Sequence, residues 1–299
     1  MMKTKEIVAM CRVDDPKKFR LKDHDPEWAG NVDVPKEDRK KFAEDVLSQN
    51  VSDLAEAQER LYASDTWSLL ILFQAMDAAG KDSTIEHVMS GVNPQGCQVF
   101  SFKQPSVEEL DHNYLWRYTK ATPERGRIGI FNRSYYEEVL VVRVHPQLVQ
   151  AERIPDVKVD DDFWKGRFED INNLERHLSR NGTRVLKFFL NVSKKEQRKR
   201  FMKRLEDPTK HWKFSAGDLA ERDRWDDYMK AYEEAIRATS TKWAPWYVVP
   251  ADHKWVTRAI VARTIVATVE ALKAEYPKID SQQKEAIERA KKQLDDEKD

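Results

Sequence analysis

Hydrophobic positions in this chain follow two rhythms. Leu69 to Met76 reads Leu-Leu-Ile-Leu-Phe-Gln-Ala-Met, the nearly unbroken apolar run expected of a central strand buried on both faces of a parallel sheet. Shorter runs at Cys97 to Phe102, Arg127 to Phe131, Val185 to Val192 and Trp246 to Val249 read as further strands. Between them the apolar residues space out to helical intervals. Phe42, Val46, Leu47, Val51, Leu54 and Leu61 make one such stripe, Trp225, Tyr228, Met229, Tyr232 and Ile236 a second, and Val256, Ile260, Ile265, Val269 and Leu272 a third. Strands alternating with helices predict an α/β fold with a doubly wound sheet.

Directly after the first strand comes Asp77-Ala78-Ala79-Gly80-Lys81-Asp82-Ser83-Thr84, then a helical pattern through Ile85, Val88 and Met89. Strand, small-residue turn and helix in that order suit a phosphate. A helix N-terminus offers unpaired backbone N–H groups and partial positive charge, and small residues such as Gly80 let the backbone come close. Lys81 adds a point charge, and Ser83 lies in the same turn. Against the pattern G-x-x-x-x-G-K-[ST], Ala75 replaces the first glycine and Asp82 the serine or threonine. A carboxylate about 4 Å from a phosphate charge costs roughly 4 kcal/mol at an effective dielectric near 20, so a cation is expected between them. Asp77 and Asp82 are therefore read as direct or water-mediated ligands of magnesium, with manganese as a substitute. Helix capping is the other reading of Asp82.

The strand Arg127 to Phe131 ends in Asn132-Arg133-Ser134-Tyr135-Tyr136-Glu137-Glu138 and runs on to His145-Pro146, and a third distinctive stretch spans Asp207 to Ser215 with Lys210-His211-Trp212-Lys213-Phe214 inside it. Ligand-binding groups are expected at such a strand end. Arg133 suits a transferring phosphoryl group because a guanidinium stays charged and forks two donors onto phosphate. His145 reads as a structural hydrogen bonder, and His87 and His112 lack companions at metal-ligand spacing.

These three stretches, in this order, resemble the polyphosphate kinase 2 family over roughly residues 35 to 275. The resemblance implies a P-loop kinase-like, three-layer α/β/α fold: a mostly parallel five-stranded sheet with a helical lid. It also implies transfer of phosphate from inorganic polyphosphate to nucleoside mono- or diphosphates with magnesium, without a covalent enzyme intermediate. Many members carry Asp-Arg-Ser where this chain has Asn132-Arg133-Ser134. This version resembles class III, associated with AMP and ADP as acceptors; guanine nucleotides are further candidates. Asn132 is neutral, which moves metal binding toward Asp77 and Asp82, and leaves Asn132 and Glu137 as nucleotide contacts. Homo-oligomers, dimers or tetramers, are usual for the resembled family. An ATP-dependent nucleotide kinase and a non-enzymatic polyanion binder are the competing readings.

Lys194 to Leu205 is strongly basic, and with Lys210, Lys213, Arg222 and Arg224 it forms a positive ridge on the expected lid, about 194–240. Arg133, Arg200, Arg204, Lys213 and Arg222 are the expected polyphosphate contacts, since a chain of phosphates needs a basic groove. The whole chain gives no such field: 52 basic and 52 acidic side chains cancel, which argues against a general nucleic-acid binder. Cys11 and Cys97 lie far apart without metal-ligand spacing, and no apolar run reaches the length of a membrane span. A cytoplasmic protein is the expectation. With no internal repeat and no linker, one kinase domain is expected over 35–278, flanked by an N-terminal extension, 1–34, and a charged helix-like tail, 279–299.

Overall fold

The computed structural model describes residues 4–29, 34–215 and 217–297. Strands β1 (Ser68–Gln74), β2 (Cys97–Ser101), β3 (Ile128–Asn132), β4 (Thr183–Asn191) and β5 (Trp246–Pro250) each lie within two residues of the expected span. They form one sheet in the order β2-β3-β1-β4-β5, and every neighbouring pair is parallel. Strand β1 takes the centre because none of its seven residues is exposed to water. Leu69, Leu70, Ile71 and Leu72 are each 0% exposed, and each such side chain contributes about 1.5–3 kcal/mol on burial.

The helices follow as α1 (Thr4–Cys11), α2 (Arg39–Ser64), α3 (Lys81–Val88), the short α4 (Val107–Leu110), α5 (Trp116–Thr119) and α6 (Val141–Val144), then α7 (Asp161–Arg180), α8 (Lys194–Glu206), α9 (Gly217–Asp223), α10 (Trp225–Thr239), α11 (Lys254–Ala271) and α12 (Ser281–Asp295). Helix α11 packs on α1, α2 and α3, while α10 packs on α6 and α7, giving the two outer layers. Strands β1 and β3 are neighbours whose onward connections run to opposite sides, β1 toward β2 and β3 toward β4. Such a switch opens a crevice at the carboxyl ends of the two strands.

The ends of the chain behave differently from each other. The expected N-terminal extension is built into the domain: Cys11, Val13, Phe19 and Leu21 are buried, the Val13 amide donates to the Trp246 carbonyl at 2.9 Å, and Arg12 bridges Tyr247. Four apolar residues scattered over eleven positions carry too little periodicity to announce this, yet they close the β5 edge. Helix α12 is the expected charged tail, and no residue in it is buried. The expected lid divides at Trp225. Helices α8 and α9, joined by a 3₁₀ turn at Pro208–Lys213, lie over the crevice, whereas α10 buries Trp225, Tyr228, Tyr232 and Ile236 in the core.

Candidate active site

The turn after β1 gathers donors toward one point. Ala78 and Gly80 take left-handed backbone, φ +59° and +106°, a turn conformation that can present N–H groups to an anion, while the Ala79 amide between them donates to the Met76 carbonyl at 3.2 Å. Gly80 caps α3, whose first turn leaves further amides without helical partners. The Lys81 side chain is buried and donates to the Ala75 carbonyl at 2.8 Å, folded back along the position where the pattern has its first glycine. Burial, and then the charge of Arg133, hold the Lys81 ammonium below the ordinary lysine value of 10.5, while Asp77, Glu137 and Asp82 pull the other way. Ser83 donates to the Gly80 carbonyl at 3.2 Å and braces the turn.

Strand β3 delivers its own motif beside this turn. Asn132 donates from Nδ2 to Asp82 at 2.6 Å, and Arg133 donates from Nη2 to Asp77 at 3.0 Å. Adjacent residues of one motif thus hold the two carboxylates of the other, 50 and 56 positions away in sequence. Arg133 also reaches Glu137 at 3.5 Å, and it is the Glu137 carboxylate first, with Asp77 behind it, that raises the guanidinium's pKa. Its backbone sits at φ +64° with the amide donating to Phe73 at 3.1 Å. Ser134 is fully buried and accepts from Gln74 Nε2 at 3.1 Å, so the β1 and β3 ends are bonded together directly beneath Arg133.

Magnesium satisfies itself with one or two carboxylates and fills its remaining positions with phosphate oxygens and water. Asp77 and Asp82 meet that need, each with one oxygen already engaged by Arg133 or Asn132. Among the described residues no group of three or more His, Cys, Asp or Glu is arranged to hold a metal. These residues therefore suit a metal carried mainly by phosphates, not an all-protein cage.

The lid cations divide. Arg200 is engaged by the protein itself: its guanidinium donates to the carbonyls of Ala78, Ala79, Ala251 and Asp252 and to the Glu196 carboxylate. It stitches the phosphate turn to the end of β5 because bare backbone carbonyls there need partners. Arg204 pairs with Asp218 at 3.0 Å. The Asp218 carboxyl is pushed up by burial and next by the charge of Asp77, which places the start of α9 beside the turn. Arg222 donates to the Lys194 carbonyl and to Gln197 Oε1 at 2.7 Å, and Gln197 in turn donates to the Asp77 carbonyl at 2.9 Å. Gln197 is 1% exposed, and nothing in its sequence setting singled it out among the charges of α8. Lys213 belongs to the 3₁₀ turn, and its side chain lies outside the described residues. His145 bonds Glu221 at 2.9 Å, joining the end of α6 to α9.

A small-residue turn before a helix, a facing arginine and a basic helical cover are shared by many nucleotide kinases. What decides between them is the match of residues 36–277 to the family model described as Polyphosphate kinase 2. The chain belongs to the polyphosphate kinase 2 family. It is 53% identical over 268 residues to an ADP-polyphosphate phosphotransferase of Rhodopseudomonas palustris, covering 89% of this chain and 92% of that one. It is 44% identical over 266 residues to an AMP/ADP-polyphosphate phosphotransferase of Meiothermus ruber, covering 89% and 94%. The crystal structure of polyphosphate kinase 2 from Arthrobacter aurescens superposes with a TM-score of 0.84 at 40% identity, over 94% of this chain and 95% of that one. The protein is a phosphotransferase of the polyphosphate kinase 2 type, with the P-loop kinase fold.

One consequence of the buried lysine is a pH dependence. In the role expected of Lys81 it is the charged form that would act, and burial holds its pKa in the fold below that of a free lysine. Activity should therefore fall as pH rises through that lowered value. Replacing Lys81 with arginine, which stays protonated, should carry the alkaline limb of kcat/KM to higher pH even where the maximum drops. A pH–rate profile of the two proteins checks this, and coincident alkaline limbs would assign the titration to another group.

Proposed function

We propose that this chain transfers the terminal phosphoryl group of inorganic polyphosphate to AMP and ADP, forming ADP and ATP. The observation that carries the reading is the meeting of Asp77 and Lys81 with Arg133 across the crevice. Lys81 and the amides of residues 80–83 hold the phosphoryl group being moved. An acceptor phosphate oxygen attacks its phosphorus in line; the bond to the bridging oxygen of the donor chain breaks, and the shortened chain leaves with that oxygen. Arg133, anchored on Asp77 and Glu137, meets the charge spread over the equatorial oxygens, and alignment with charge neutralisation supplies most of the rate. Asp77 and Asp82 would hold magnesium, which when bound neutralises phosphate oxygens. Asn132 and Glu137 face the acceptor side.

We take a neighbouring cleft as the route of the donor's outer length. A cleft of about 1110 Å³ lies between the segment Pro16–Pro26, α7 and α10, with Lys17, Lys22, Lys194 and Lys230 on its walls beside the carboxylates of Asp161, Glu233 and Glu234. Its edge at Lys194 is joined to Asp77 through Arg222 and Gln197. Charge reversal at Lys22 and Lys230 should raise KM for long polyphosphate about tenfold, more at high salt, and leave KM for a chain of a few phosphates unchanged. Kinetics at two defined chain lengths check it, and equal effects on both lengths would place the outer chain elsewhere.

The same reading includes guanine mono- and diphosphates as further acceptors, a homo-oligomer, and a cytoplasmic setting. The last is supported by two cysteines that are both unpaired. Among the described residues no helix is long and apolar enough to cross a membrane. The test is direct: protein, magnesium and ADP with and without polyphosphate should yield ATP only in its presence. Phosphorylation of AMP by ATP at full rate without polyphosphate would favour an ATP-dependent kinase instead.

A further inference from the structure

Strand β4 carries a lysine, Lys187, in the middle of Val185-Leu186-Lys187-Phe188-Phe189, and it is 0% exposed. Its ammonium donates to Glu175 Oε2 at 2.6 Å, to the Thr239 carbonyl at 2.7 Å and to the Tyr136 hydroxyl at 2.9 Å, so all three protons are used. Glu175, on α7, is also 0% exposed, and its other oxygen accepts the hydroxyls of Tyr135 at 3.0 Å and Tyr136 at 2.9 Å. Burial pushes Lys187 down and Glu175 up, and their contact opposes both shifts. An apolar pair of similar volume is often as stable as a buried ion pair or more so, so stability alone gives little reason for this one.

What the pair touches supplies the reason. Tyr135 and Tyr136 lie between Arg133 and Glu137, in the 3₁₀ turn that follows β3. Arg133 stands in left-handed backbone at φ +64°, which a residue with a side chain keeps only when its surroundings hold it there. Thr239 ends α10, whose Tyr228 and Tyr232 face the charge of Arg133. Three segments around the acceptor side thus converge on one buried carboxylate and one buried ammonium.

We infer that the Lys187–Glu175 pair, acting through the hydroxyls of Tyr135 and Tyr136, is a positioning device that aims Arg133 at the transferring phosphoryl group. The inference rests on the role given to Arg133 above. The two tyrosine rings fill the core, and their hydroxyls carry the aim.

The test is a cycle between the tyrosine hydroxyls and Arg133. Tyr135→Phe together with Tyr136→Phe should lower kcat about tenfold to a hundredfold, as small displacements of a reacting group do, at unchanged KM for polyphosphate. In an Arg133→Ala background the same pair of changes should alter kcat less than about twofold, because groups acting as a unit are not additive. An equal fall in both backgrounds would reduce the pair to a structural role, and no fall in the folded double variant would overturn the inference outright. Wild-type activity in Arg133→Ala alone would instead refute the role of Arg133. If the double variant does not fold, Tyr136→Phe, which leaves Tyr135 and Lys187 bonded to Glu175, is carried through the same cycle.

Discussion

Replacing Lys81 with alanine is expected to lower kcat a hundredfold or more while the protein stays folded. The ammonium belongs to the turn itself, and losing one preorganised contact to a reacting group costs about 3–4 kcal/mol. The fold should survive because the Lys81 ammonium bonds only the Ala75 carbonyl, at the rim of the crevice, while β1 and α3 are held by their own burial. Steady-state kinetics beside a thermal melt separate the two effects. A variant with unimpaired turnover would remove Lys81 from the chemistry, and one that fails to fold would mark it as structural.

The second large effect is expected at Arg133. Alanine there should cost on the order of a thousandfold in kcat, the scale at which an arginine meeting a transferring phosphoryl group acts in other phosphotransferases. Lysine should recover little of it, since one ammonium cannot span Asp77 and Glu137 as the guanidinium does, at 3.0 and 3.5 Å. The loss should appear in kcat and kcat/KM together, the mark of an interaction made in the transition state. A rise in KM alone would turn Arg133 into a ground-state binder of nucleotide.

The five strands, the turn between β1 and α3 and the place of Arg133 at the end of β3 were legible because each depends on local pattern: an apolar run, a small-residue turn before a helix, a charged motif at a strand end. Arg200 shows where that kind of reading stops. Its spacing on α8 marks it as one more cation of a basic ridge, whereas its partners are four backbone carbonyls in two distant turns. Gln197 was invisible for the same reason, its partners being a carbonyl at Asp77 and a guanidinium at Arg222. Residues 11–21 enter the core through a few isolated apolar side chains whose role appears only when β5 is beside them. Lys187 did leave a signal, a charge within an apolar strand, and such a charge has to find a buried partner.

Asp82 lies in the first turn of α3, behind the Gly80 cap, where its charge suits the helix N-terminus, and its carboxylate accepts from Asn132. Together with Arg133 on Asp77, that bond makes the second motif the support of the first. A change at Asn132 should thus be felt through the acidic residues of the phosphate turn.

A crystal grown with magnesium and a short polyphosphate tests the central claim most directly. The phosphate turn is expected to hold a phosphoryl group against the amides of residues 80–83, with the Lys81 ammonium turned from the Ala75 carbonyl onto its oxygens. Phosphate chain bound elsewhere, with that turn empty and Lys81 still on Ala75, would contradict the account.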